Sequence, residues 1–177
     1  MTAEQLKDVE RSALNVLRRH PVDMPVNVVQ VARALGIRVL VTTFRGDKNL
    51  AGMIEKRKDQ GTIWVNELDA RVRQRFTVAH ELGHWILGDL ASTGTWEEPE
   101  QAVAYRLEES LGSFPERRAN AFAAAMLMPA PWVNAWIEHG VRSPETLAEL
   151  FEVSQQAMEI RLKTLGRLSG AGVSTRG

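Results

Sequence analysis

The chain has 177 residues, of which 44% are hydrophobic and 25% are charged. This composition is that of one ordinary globular domain and excludes a largely disordered protein. Its 22 basic and 22 acidic residues cancel, which excludes a protein held on nucleic acid or on an anionic membrane by bulk charge. The chain has no cysteine, so disulfide scaffolds, thiolate metal sites and cysteine nucleophiles are excluded, and a metal would need His and carboxylate ligands.

The first ten residues contain acidic side chains and no apolar run, so no secretory signal is predicted. The longest stretch without strongly polar residues, Ala121–Val133, is too short to span a bilayer and contains two prolines. The sequence therefore predicts a cytoplasmic protein that has no membrane partner.

Two periodicities divide the chain. Apolar residues three and four positions apart predict amphipathic helices, which cover 3–19, 26–35, 68–87, 116–128 and pieces of 131–168. Runs of β-branched residues predict three short strands, at Ile37–Phe44, Ala51–Glu55 and Thr62–Val65. Because the turns between the strands are short, we expect two sequential antiparallel pairs.

These elements predict an α+β fold, with helices around a small, mostly antiparallel three-stranded sheet. We expect residues 1–135 to form the core and residues 136–168 to form a helix-turn-helix-like C-terminal segment packed on it. In that segment the turn is centred near Val153, and Ser154 caps the second helix. Residues 169–177 are rich in Gly and Ser and are predicted to be a flexible tail.

The strongest chemical signal is His80-Glu81-Leu82-Gly83-His84, inside the predicted helix 68–87. Histidines four residues apart lie on one helical face, so both imidazoles can reach a single metal ion. Glu81 projects beside the two histidines and is predicted to act as a general acid/base on water without binding the metal.

A third ligand is needed, because a catalytic zinc usually has three protein ligands and an open position. The candidates are Asp89, the acidic residues of 97–109, Glu116 and His139. Glu116 is favoured because the small residues Ala119 and Ala123 would allow close packing on the His helix, and because Asn120 could accept the outward N–H of a ligand His. Against it, Ser113 to Glu116 also fits a capping box, which would occupy the Glu116 carboxylate.

The sequence resembles the ImmA/IrrE-type (DUF955) zinc-dependent metallopeptidases over about residues 20 to 166. The matching segments are 51–54 (AGMI), 63–66 (IWVN), 73–88 (RQRFTVAHELGHWILG), 116–129 (ERRANAFAAAMLMP) and 151–162 (FEVSQQAMEIRL). The resemblance implies a minimal zincin-like fold, His80, His84 and Glu116 as ligands of one divalent metal, and Glu81 as the catalytic acid/base. Zn²⁺ is the first choice for the metal and Mn²⁺ the second, because His and Glu ligands suit both ions.

The resemblance also implies the activity of an intracellular metallopeptidase. Its substrate would be a helix-turn-helix (XRE-like) transcriptional repressor, cleaved at one site to derepress a mobile-element, prophage or stress-response operon. An oxyanion donor is usual in such a reaction, and Tyr105, the only tyrosine, is a candidate, with His139 as the other.

The alternative is a non-catalytic regulator that binds a transcription factor or DNA and has a structural or vestigial metal site. Direct DNA binding is not expected, because a module that contacts phosphates carries a basic face. Residues 143–167 contain four acidic residues and three basic ones.

Overall fold

The computed structural model describes residues 1–45, 50–57, 60–89 and 112–168. In these ranges it has seven helices: α1 (Ala3–Arg19), α2 (Val28–Ala34), α3 (Arg71–Leu87), α4 (Phe114–Leu127), α5 (Ala130–Glu138), α6 (Pro144–Phe151) and α7 (Gln155–Thr164). The strands are β1 (Ile37–Thr42), β2 (Gly52–Arg57) and β3 (Gln60–Asn66). No helix in the described part of the chain combines the length and the apolar character needed to cross a membrane.

The predicted α+β class and the predicted antiparallel pair of β2 and β3 are confirmed, but the predicted pairing of β1 with β2 is wrong. The order in the sheet is β1-β3-β2, with β1 parallel and β2 antiparallel to β3. A tight connection makes β2 and β3 a hairpin, whereas the longer segment 43–51 lets β2 lie on the far side of β3. Strand β3 is central because it is buried along almost its whole length, while β1 is largely exposed.

Helix α3 lies between the sheet and α4, and it determines where the candidate site forms. Val78 and Leu82 on α3 are buried and belong to the same apolar core as Ile63 of β3 and Phe122 of α4. Because burial of apolar surface is the main favourable term in folding, this core sets the position of both helices. The polar side chains of α3 and α4 are thereby held at fixed separations.

Helices α6 and α7 form the predicted helix-turn-helix-like pair, with Ser143 and Ser154 as N-caps. Leu147, Phe151, Met158 and Leu162 of this pair are buried in the same core as the rest of the chain. The predicted boundary at 135/136 falls inside α5 and stays a prediction. The predicted tail, residues 169–177, lies outside the described residues.

Candidate metal centre

Helix α3 provides His80, Glu81 and His84, which lie within five consecutive residues. The close packing of α4 on this turn depends on Gly83, since a Cβ at that position would lie 3.0 Å from the Ala119 Cα. The absence of a side chain at Gly83 therefore brings the backbone of α4 next to the two histidines. Of the two small residues expected to allow this packing, Ala119 and Ala123, Ala119 lies at this contact.

Helix α4 provides Glu116 in its first turn. Ser113 caps the helix and accepts a 3.4 Å hydrogen bond from the Glu116 backbone N–H. The Glu116 carboxylate is directed at the histidines, with Oε2 3.2 Å from His80 Nε2 and Oε1 3.2 Å from His84 Nε2. Ser113 thus forms the hydrogen bond that its own side chain contributes to the predicted capping box. The Glu116 carboxylate contacts the two histidines.

The donor atoms of His80, His84 and Glu116 all lie within 4.8 Å of one another, and no other such cluster of metal-ligating side chains occurs in the described ranges. The two Nε2 atoms are 3.0 Å apart. Ligand atoms on one tetrahedral ion with bonds of about 2.0–2.1 Å lie about 3.3 Å apart, so these separations are close to those that a shared ion requires. Two imidazole nitrogens and a carboxylate form a donor set that fits a divalent metal.

The electrostatics of the cluster favour a charged carboxylate. Burial by itself would raise the pKa of Glu116, but its hydrogen bonds and charge interactions with His80 and His84 outweigh burial and hold that pKa well below its usual range. Glu116 is therefore ionised at neutral pH, as a metal ligand must be.

Asn120, one turn after Glu116 on α4, contacts the ring nitrogen of His80 that does not face Glu116. Its Oδ1 lies 2.9 Å from His80 Nδ1. An amide oxygen only accepts, so His80 Nδ1 carries the proton and donates it in this hydrogen bond. Binding of an ion would replace the Nε2 proton that is shared with Glu116, and the Nε2 lone pair would then be directed at the ion.

Glu81 follows His80 directly, and its side chain is fully buried. A carboxylate that follows a candidate ligand His directly can act as a general base on water at a metal. The catalytic role of Glu81 stays a prediction.

Two other predicted candidates, Asp89 and His139, are described by the structure and are not part of the cluster. Asp89 is paired with Arg118, with 2.9 Å between its Oδ1 and Arg118 Nη1. His139 is the exposed C-cap of α5, and its ring nitrogen Nδ1 bonds to the Ala135 carbonyl at 2.7 Å. Tyr105 and the acidic residues of 97–109 lie outside the described residues.

Sequence reasoning missed the pair of Asp89 and Arg118. The two residues are 29 positions apart, and no motif links them. The one available signal was an acid just after the end of the His helix, with a base on the helix of Glu116. That signal is too weak to choose Arg118 over Arg117, since only the packing of the two helices separates them.

Comparison with known proteins identifies the family of the chain. The model of the IrrE N-terminal-like domain family, Peptidase_M78, matches residues 32–163. A curated relative, the radiation response metalloprotease IrrE of Deinococcus radiodurans, is 36% identical over 95 residues, which are 52% of this chain and 26% of that protein. This chain therefore spans about a quarter of that relative.

A solved structure of a Mycobacterium tuberculosis transcriptional regulator has the same fold, with a TM-score of 0.62 at 21% identity. The likeness covers 91% of this chain and 48% of that one. The family model covers about three quarters of the sequence, including both helices of the cluster, and confirms the resemblance that the motifs predicted. The chain belongs to the IrrE N-terminal-like (Peptidase_M78) family.

Proposed function

We propose that the protein is an intracellular metal-dependent endopeptidase that cleaves a helix-turn-helix (XRE-like) transcriptional repressor. The observation that carries this proposal is the convergence of His80, His84 and Glu116 within 4.8 Å, on a helix that also holds Glu81. Two imidazoles and one carboxylate leave room for a water molecule on a four-coordinate ion, as in catalytic sites.

His80, His84 and Glu116 would hold the ion, and Zn²⁺ or Mn²⁺ fits these ligands. A divalent ion there supplies a Lewis acid that acidifies water and polarises a peptide carbonyl. Glu81 then takes the proton from the attacking water and delivers it to the leaving amine nitrogen. Asn120 keeps His80 in the tautomer that binds through Nε2.

Strand β2 is the element we assign to the substrate. It is an outer strand, paired only with β3 among the described residues. A Cβ at Gly52 would overlap the Thr77 side chain, so β2 begins directly against α3, one turn before His80. An extended peptide that adds to the outer edge of β2 would therefore run beside the cluster.

The repressor substrate rests on the family and on its relatives. The Deinococcus relative is described as a radiation response metalloprotease, and the Mycobacterium structure as a transcriptional regulator. A peptidase that cleaves a repressor at one site would combine proteolysis with transcriptional control. The cleavage would derepress a mobile-element, prophage or stress-response operon.

The test is cleavage of the repressor that is encoded beside this protein's gene. Purified protein with Zn²⁺ or Mn²⁺ is expected to cut it once, and Glu81→Gln is expected to abolish the cut while still binding metal. Glu138→Ala, which changes an exposed acid on α5, is the matched control and should cleave normally. Absence of cleavage with every metal, together with normal operon induction by the Glu81→Gln protein in cells, would refute the proposal.

The α6–α7 pair supports a second candidate, a non-catalytic regulator that grips a transcription factor or DNA. The turn between these helices and the Ser154 cap have the form of a helix-turn-helix. DNA binding by this candidate is disfavoured because Arg161, one of the three basic residues of segment 143–167, is buried. Full regulatory function of Glu81→Gln would favour this candidate over the peptidase.

A further inference from the structure

We propose that Arg118 is a positioning residue that selects Glu116 as the third ligand by holding Asp89 away from the metal. This inference rests on the proposed metal centre and concerns how the chain chooses between two nearby carboxylates. It assigns a role to a side chain that belongs to none of the motifs of the cluster.

The Arg118 guanidinium makes three contacts at the junction of α3 and α4. Its Nη1 lies 2.9 Å from Asp89 Oδ1, and its Nη2 donates to the Leu87 carbonyl oxygen at 3.3 Å. It also lies over the Phe114 ring, 5.6 Å from the centroid. Because the guanidinium is planar and its donors are fixed in direction, these contacts restrain its position more than a single ion pair would.

These contacts join the two helices close to their ligands. Leu87 and Asp89 follow His84 at the end of α3, and Arg118 follows Glu116 on α4. Gly83 and Ala119 hold the two backbones in direct contact. Arg118 and Ala119 thus attach α4 to α3 within three residues of Glu116.

Asp89 is a real competitor for the metal. It is buried, and it lies within electrostatic range of both His84 and Glu116. Burial raises its pKa, while the charge of Arg118 acts in the opposite direction. A buried carboxylate that lost its arginine would gain from any nearby cation, and a metal at the cluster would be the nearest one.

Removal of Arg118 should therefore have two consequences. The first turn of α4 loses its tie to α3, which weakens metal binding. Asp89 is released, and its carboxylate can enter the coordination of the ion. The second consequence separates ligand selection from a merely structural role, because it changes which atoms surround the metal.

The experiment compares Arg118→Gln with the wild-type protein in full-length form. Zn²⁺ affinity is measured by competition with a chelator, and coordination is read from the visible absorption of the Co²⁺ form. Arg118→Gln should bind Zn²⁺ roughly 10- to 100-fold more weakly, as for other residues that orient ligands. Its Co²⁺ spectrum should change, and adding Asp89→Asn should restore the wild-type spectrum without restoring the affinity.

Two variants serve as controls. Arg117→Gln removes a neighbouring arginine that bonds to the Gly112 carbonyl, and it should leave both the affinity and the spectrum unchanged. Arg118→Lys keeps a cation for Asp89 but loses the two-pronged geometry. It should therefore keep the wild-type spectrum, with an affinity between those of the wild type and Arg118→Gln, and it carries the test if Arg118→Gln does not fold in the metal-free state.

The results separate this inference from the proposed function. A wild-type protein that binds no metal would refute the metal centre itself. A wild-type protein that binds metal, with unchanged affinity in Arg118→Gln and in Arg118→Lys, would overturn the positioning role alone. A weaker affinity of Arg118→Gln with the wild-type Co²⁺ spectrum would show that Asp89 stays out without Arg118, and it would overturn ligand selection.

Discussion

Helices α3 and α4 bring three ionisable side chains to a common point, with 3.0–3.2 Å between neighbouring donor atoms. Helices α6 and α7 use their ionisable side chains differently. Arg161 of α7 is buried, donates to the Met128 carbonyl at 3.0 Å and is paired with Glu10 of α1. One pair of helices thus brings together three side chains that could hold a metal ion, whereas the other pair uses its buried charge to attach itself to the core.

This difference bears on function because both regions resemble modules with known uses. The α6–α7 pair has the shape of a helix-turn-helix, but its exposed bases are reduced to Lys163 and Arg167. The acidic side chains of the same segment are Glu145, Glu149, Glu152 and Glu159. A DNA-binding surface needs a basic face, so we propose a structural role for this region.

The largest effect is expected at Glu116. Glu116→Ala removes one of three ligands, so the loss of Zn²⁺ affinity should exceed the roughly 10- to 100-fold that residues behind the ligands contribute. Chelator competition measures the loss. Added Zn²⁺ should stabilise the wild-type protein against heat and should not stabilise Glu116→Ala. Glu138→Ala is the control. Retention of wild-type affinity by Glu116→Ala would remove this residue from the site.

The next effect concerns stability in the other region. Arg161→Ala leaves Glu10 without its arginine and the buried Met128 carbonyl without a donor, which should cost about 3 kcal/mol of unfolding free energy. Urea denaturation of the metal-free protein measures this cost. Lys163→Ala changes an exposed cation on the same helix and should alter stability by less than about 0.5 kcal/mol. Equal losses in the two variants would contradict the fastening role of Arg161.

A smaller effect is expected at Asn120. Asn120→Ala removes the acceptor for His80 Nδ1–H, so Zn²⁺ affinity should fall by roughly 10- to 100-fold while the metal-free protein stays folded. Asn120→Asp keeps an acceptor and should retain the affinity. If alanine and aspartate behaved alike, the orientation of His80 would not depend on residue 120.

The smallest effect is expected for DNA binding. We expect the wild-type protein to bind an operator duplex no more tightly than nonspecific proteins do, with a Kd weaker than roughly 1 μM at physiological salt. Lys163→Glu should therefore change the binding little, as measured by fluorescence anisotropy. Tight, salt-sensitive binding that Lys163→Glu abolishes would contradict the structural role of α6 and α7. It would favour the non-catalytic regulator.

The sequence predicted the local elements and the placement of His80 and His84 on one helix well, and it predicted long-range pairing poorly. His80 and His84 lie on one helix, so the helical period alone brings them together. The turn near Val153 and the Ser154 cap are also local and were found. The strand order was wrong because pairing depends on which strand the helices bury, and β3 takes the centre through contacts distant in sequence.

The third ligand shows the same limit at the scale of one side chain. From the sequence, Glu116 was as suitable for a capping box as for a metal, and Asp89, His139 and the acidic residues of 97–109 were open alternatives. Among the described residues, the packing of α4 on α3 through Gly83 and Ala119 turns Glu116 toward the histidines and pairs Asp89 with Arg118.

What the sequence determined by itself was chemistry that is fixed by composition and by short spacing. The absence of cysteine restricted the site to histidine and carboxylate, and a spacing of four put two imidazoles on one face. The tertiary structure decided which carboxylate faces them, which strand takes the centre of the sheet and which arginine is buried. These choices depend on contacts between residues far apart in the chain, and such contacts exist only after the core has formed.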